Sequence, residues 1–192
     1  NLRHDPQRGM YLTPNPAVLE SAREFLLDEL CIPASFRDLC AVSWCEGGGT
    51  GALARAIQYA ISSYKDRVKG KMIVQEKGWP GYPFLAKAHG LAFEETAVDL
   101  LNPPSDGMLV AQIIHNGTGL RIPRFHWDIL AASRASFFTP TILDIPYAGF
   151  DFADFALPRA MQYSVGIPIG LFLHHNTPVI IAWSPTKIYG AF

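Results

Sequence analysis

The sequence predicts a three-layer α/β/α domain built around a mostly parallel mixed sheet. Short apolar, strand-like runs alternate with amphipathic helical stretches along the chain, a glycine-rich turn joins one such run to a helix, and isolated polar residues stand just after the runs. Consecutive parallel strands need a crossover, usually a helix, so this alternation points to a parallel sheet with helices on both faces.

The first helix opens with Asn15 as N-cap and Pro16 at the first helical position, where the missing N–H of proline costs nothing. Val18, Leu19, Ala22, Phe25, Leu26 and Leu30 would form its core face. After Pro33, residues 39–45 read as an apolar strand running into Glu46 and then Gly47, Gly48 and Gly49. The helix that follows carries Ala52, Leu53, Ala56, Ile57, Ala60 and Ile61 on one side. Residues 72–74 form a short strand, 83–89 a helix, and 91–98 a strand interrupted by Glu94 and Glu95. The strand 108–114 ends at His115 and Asn116. A helix over 124–133, with Phe125 and Ile129 on one face, leads into the strand 137–143 and Asp144. Residues 156–173 are mostly helical despite Gly166, Pro168 and Gly170, and 178–183 is the last strand.

With 192 residues, 49% of them hydrophobic, the chain has material for one sizeable core, and residues 1–192 are expected to form one domain. Its 16 basic and 17 acidic side chains nearly cancel without clustering, which argues against a nucleic-acid or membrane-surface partner and for a small molecule. No apolar run reaches the length of a membrane span, and residues 1–10 do not have the pattern of a signal peptide. Cys31, Cys40 and Cys45 lack metal-ligand spacing and read as reduced thiols of a cytoplasmic protein. The chain lacks an initiating Met and stops soon after Lys187, as expected of part of a longer protein.

Ligands of such sheets bind beyond the carboxyl ends of the strands. The turn from Gly47 to Ala52 opens a helix, so free N–H groups and the positive end of the helix dipole meet there, as a phosphate requires. A plain chain reversal is the competing reading. The Gly-Lys-Ser/Thr ending of an ATP loop is absent, while Gly47, Gly49 and Ala52, with Glu76 after the next strand, also fit a dinucleotide fingerprint. Asp144 follows an apolar run, where a desolvated carboxylate needs a cationic or donating partner, unless it is a turn residue before Pro146. Lys187 follows the last strand, where a low-dielectric pocket would lower its pKa and make it nucleophilic, although most lysines are solvated surface groups. Trp79 is a core ring or a stacking platform, and His174 and His175 read as structural histidines rather than metal ligands.

Taken together and in order, these residues resemble the large domain of the fold-type I pyridoxal-phosphate aminotransferases, in particular the aspartate and aromatic enzymes. Gly49-Thr50-Gly51-Ala52-Leu53 is similar to the family's phosphate-binding turn, and Trp79-Pro80-Gly81-Tyr82 to the loop whose ring stacks on the pyridine. His115-Asn116-Gly117-Thr118-Gly119 resembles the segment whose Asn bonds the cofactor's phenolic oxygen. Asp144 and Tyr147 match the acid at the pyridine nitrogen and the Tyr at the same phenolic oxygen, and Ser184 and Lys187 match the phosphate Ser and the Schiff-base Lys. Tyr11 resembles the Tyr that reaches the neighbouring subunit's phosphate, which implies a homodimer. Gly48 stands in place of the usual Ser, Gly117 in place of the usual Pro, and Pro185 is unusual before Thr186-Lys187.

The resemblance implies pyridoxal 5'-phosphate as cofactor and transfer of an amino group from an L-amino acid to a 2-oxo acid, with Lys187 catalytic and no metal. The small domain and the arginines for phosphate and substrate carboxylate would lie beyond Phe192, so the isolated chain is expected to be inactive. A lyase or decarboxylase of the same fold, or a non-catalytic regulatory domain, would use the same cofactor residues. A nicotinamide-dependent oxidoreductase would leave Lys187, Asn116 and Asp144 without a role.

Overall fold

The computed structural model describes residues 16–30, 32–43, 45, 47–147 and 166–184. Its centre is a five-stranded sheet of β1 (Lys71–Gln75), β2 (Ala92–Thr96), β3 (Met108–Ala111), β4 (Thr141–Asp144) and β5 (Val179–Ala182), in the order β2-β1-β3-β4-β5. Every pairing between these strands is parallel. Six helices surround it: α1 (Pro16–Glu29), α2 (Gly48–Ser63), α3 (Lys65–Val68), α4 (Tyr82–Ala88), α5 (Arg124–Phe137) and α6 (Gly166–His174).

Side chains alternate across each strand and split the interior into two cores. Ile73, Leu109, Ala111 and Leu143 face α1, α5 and α6, where Trp127, Leu130 and Phe172 are fully buried. Met72, Val74, Met108, Val110, Ile142 and Ala182 face α2, α3 and α4 and pack on Leu53, Ile57, Ala60, Val68 and Ala86. Continuous burial in β3 and β4 is what a sheet covered on both faces demands.

Four expectations change. The described residues of the segment 39–45 form no strand; a 3-10 helix at Ala34–Leu39 precedes them. Locally, the Arg23 guanidinium holds the end of that helix, Nε donating to the Cys40 carbonyl at 3.1 Å and Nη2 to the Arg37 carbonyl at 2.5 Å, so the Cys40 carbonyl is met by a side chain rather than a sheet ladder. On α1, Leu27 and Leu30 are buried while Val18 and Phe25 stay about half exposed at 55% and 48%.

On α5 the core face is His126, Trp127, Leu130, Ala131 and Arg134, and Phe125 and Ile129 face outward. Hydropathy alone discounts that face because two of its members are polar. Arg134 is fully buried and donates to the carbonyls of Pro104, Gly107 and Pro140 at 3.0, 2.7 and 2.6 Å. Finally, β4 begins at Thr141 rather than 137, because α5 runs on to Phe137 and Phe138 closes it at φ +49°. Among the described residues no helix is long and apolar enough to cross a membrane.

Candidate cofactor site at the carboxyl edge of the sheet

The chain runs from β1 outward to β2 and then returns past β1 to β3, so the strand order reverses between β1 and β3. Loops that leave in opposite directions open a crevice at such a point. The loop after β1 carries Trp79, the loop after β3 carries Asn116, and Asp144 and Ser184 close β4 and β5 on the same edge.

Asp144 is buried, 8% exposed, and its Oδ2 accepts the Tyr82 hydroxyl at 2.6 Å and the Gln112 amide at 3.4 Å. Burial pushes its pKa above the usual carboxylate range, and the two hydrogen bonds pull the other way without winning. No Lys, Arg or His pairs with it among the described residues. A desolvated carboxylate without a cation is what a pyridinium nitrogen would complete, so this residue fits the pyridoxal-phosphate ring.

Trp79 meets Tyr82 edge-on, with ring centroids 5.4 Å apart, which places the indole one side chain away from Asp144. Its six-membered ring lies over Gly81, where a Cβ would come within 2.2 Å of it. Tyr147 donates its hydroxyl to Asn116 Oδ1 at 2.9 Å, so these two residues converge from the loops after β4 and β3. The Asn116 loop itself is pressed onto the loop after β1: a Cβ at Gly117 would lie 1.7 Å from the Lys77 carbonyl oxygen. That contact explains glycine where the family resemblance leads one to expect proline. Beside it, His115 is buried with Nδ1 at 2.9 Å from Thr118 Oγ1, and burial holds its pKa below the usual imidazole value, with Glu76 opposing.

The N-terminus of α2 is the candidate phosphate end. The first helical bond is Gly51 N–H to the Gly47 carbonyl at 3.1 Å, so the N–H groups ahead of it have no partner within the helix, and no side chain caps this end. Gly49 lies against Ser184, with a Cβ at Gly49 coming 3.7 Å from the serine Cβ. Gly47 and Gly48 have φ of +87° and +59°, a left-handed pair that favours glycine and accounts for the missing Ser at 48. Thr50 is exposed at the same terminus.

The structure therefore brings together Asp144 with the Trp79 loop, Asn116 with Tyr147, and Gly49 with Ser184. Lys187 and Tyr11 lie outside the described residues. Three contributors escaped sequence reasoning: Tyr82, Gln75 and Gln112. Gln112 left a readable signal, a polar residue inside the apolar run 108–114. At the far side, His175 Nε2 meets Asp128 at 2.9 Å, and no group of metal-binding side chains occurs among the described residues.

No family model and no curated protein matches the chain. Solved structures do. An aromatic amino acid aminotransferase with 3-indolepropionic acid superimposes with a TM-score of 0.60 at 21% identity, covering 74% of this chain and 38% of its own. The Burkholderia pseudomallei aromatic-amino-acid aminotransferase covalently bound to pyridoxal phosphate gives 0.55 at 22%, covering 74% and 38%. A putative aspartate aminotransferase from Leishmania major gives 0.59 at 17%, covering 90% of this chain and 50% of that one. The chain thus spans well under two thirds of the enzymes it matches. It has the fold of the aromatic and aspartate aminotransferases, as their sheet-bearing large domain builds it.

Proposed function

We propose that this chain is the cofactor-binding part of a pyridoxal-phosphate-dependent aminotransferase acting on an amino acid of the aspartate or aromatic type with a 2-oxo acid as acceptor. Asp144 carries the reading: a buried carboxylate with no cation among the described residues, at the carboxyl edge of a parallel sheet, beside the strand-order reversal.

Pyridoxal phosphate, when bound, supplies the electron sink for a carbanion at the substrate's α-carbon. The protein's part is to hold and tune. Asp144 would keep a proton on the pyridine nitrogen, which its own raised pKa leaves it able to share. Asn116 and Tyr147, already joined at 2.9 Å, would orient the phenolic oxygen. The α2 N-terminus with Gly49, Thr50 and Ser184 would take the phosphate, and Trp79 would cover the ring. Lys187 would attach the cofactor and move the proton at the substrate α-carbon. Tyr11 would complete the phosphate site of a second subunit, which makes the working form a homodimer. The domain would span residues 1–192 and need a small domain to clamp the substrate carboxylate. Cys40 and Cys45 are free thiols, consistent with a cytoplasmic setting.

The full-length protein mixed with pyridoxal phosphate should develop a visible absorption band, and borohydride should fix the cofactor on Lys187 in a peptide map. Amino transfer to a 2-oxo acid should exceed ammonia or carbon dioxide release. A protein that stays colourless sinks the reading, and attachment at another lysine removes Lys187 from it.

A further inference from the structure

Two glutamines sit where the sheet meets the crevice, each 2% exposed: Gln75 at the end of β1 and Gln112 just past β3. Gln75 Nε2 donates to the Val98 carbonyl at 2.8 Å, and its Oε1 accepts the Gln112 backbone N–H at 2.6 Å. Gln112 Oε1 accepts the Asn116 backbone N–H at 2.9 Å, and its Nε2 points to Asp144 Oδ2 at 3.4 Å.

The polarity of this chain of bonds is not free. A carbonyl can only accept and a backbone N–H can only donate, so Val98 fixes the orientation of the Gln75 amide and Asn116 that of Gln112. The NH2 of Gln112 must therefore face Asp144. The Tyr82 hydroxyl reaches the same oxygen, Oδ2, so both donors meet one carboxylate oxygen and neither engages Oδ1.

Resting on the proposed cofactor site, we infer that Gln112 is a positioning residue for it, one amide that ties the ring-nitrogen acid Asp144 to the backbone of the Asn116 loop and presents Asp144 Oδ1 to the cofactor. It acts through Asp144 and the Asn116 backbone, so the groups proposed for the ring nitrogen and the phenolic oxygen both meet a single buried side chain. A leucine at 112 would drop both bonds. A glutamate would keep the acceptor for Asn116 and, when ionised, place a like charge against Asp144; protonated, it would again offer a donor.

The test is the dissociation constant of pyridoxal phosphate, measured by absorbance titration of the full-length protein from about pH 5 to about pH 8. Gln112→Leu should bind about tenfold more weakly throughout, as loss of a buried hydrogen bond implies. Gln112→Glu should approach wild-type affinity at the acid end and weaken by about tenfold or more at the alkaline end, a pH dependence that a merely space-filling side chain would not produce. Circular dichroism checks that each variant is folded, and the near-isosteric Glu variant decides the matter if the Leu variant is not. A Gln112→Glu protein that binds as tightly as wild type at the alkaline end overturns the inference and leaves the cofactor reading standing. A wild-type protein that binds no pyridoxal phosphate overturns both.

Discussion

Replacing Asp144 by Asn should strengthen the cofactor-free protein and weaken the cofactor-bound one. Asp144 is buried with donors from Tyr82 at 2.6 Å and Gln112 at 3.4 Å and no cation among the described residues. Its pKa is raised from 3.8, so its favourable contribution to folding is complete below that value and is lost as pH rises through the higher folded-state pKa. Asn keeps the shape and an acceptor for Tyr82 but never ionises. Turning two charge-assisted hydrogen bonds into neutral ones forfeits about 1 kcal/mol each, the longer one less, whereas an uncompensated buried charge costs several. A net gain of about 1–3 kcal/mol follows for Asp144→Asn at neutral to mildly alkaline pH, shrinking toward zero or reversing in acid, where Asp144 is already protonated. Urea unfolding of both cofactor-free proteins at about pH 4 and about pH 8 measures it directly. A variant no more stable than wild type at the alkaline point, or a difference that does not grow with pH, refutes the reasoning. Pyridoxal phosphate should reverse the sign, because only the carboxylate pairs with a pyridinium.

Further outcomes follow from individual contacts. Gly117→Ala puts a Cβ 1.7 Å from the Lys77 carbonyl oxygen, so the loop must move and carry Asn116 away from Tyr147. Cofactor affinity should fall about tenfold or more with a stability loss of about 1–3 kcal/mol, and equal affinity would mean that Asn116 is not held by this approach. Gly48→Ser, which restores the hydroxyl the family resemblance leads one to expect, should cost about 1–2 kcal/mol in urea unfolding because φ is +59° there. Arg134→Met removes the donors to three carbonyls, of which that of Pro140 still accepts the Leu109 N–H at 3.3 Å, and should lower stability by about 2–4 kcal/mol. A loss below about 1 kcal/mol would show that solvent replaces it.

Periodicity carried the sheet and most helices because burial there is apolar and repeats with the element. Leu53, Ala56, Ile57 and Ala60 on α2 are the face read from the sequence. It failed where polar side chains do structural work. On α5, Arg134 and His126 belong to the core face, and Arg134 is buried where three carbonyls, two of them 30 and 27 residues away, meet it. Residues 39–45 are apolar enough for a strand, but pairing is a matter of neighbours, and Arg23 from α1 takes the Cys40 carbonyl instead. At the site, Asp144, Asn116, Tyr147 and Ser184 were legible as polar residues after apolar runs. Tyr82 and Gln75 were not, because their roles depend on partners 62 and 37 residues away.

The site's polar network also bears on why the edge of this sheet is built as it is. Gln75, Gln112, Tyr82 and Asp144 are all buried, and an apolar set of similar volume would be expected to fold at least as well. Their bonds hold one carboxylate oxygen of Asp144 and link it to the loop that carries Asn116. A network fixed at both ends by backbone groups cannot relax by flipping an amide, so the carboxylate it holds keeps its orientation before any ligand arrives. Preorganisation of that kind lowers the cost of ordering the site when a cation binds, and the stability forgone by burying a carboxylate is recovered at that moment.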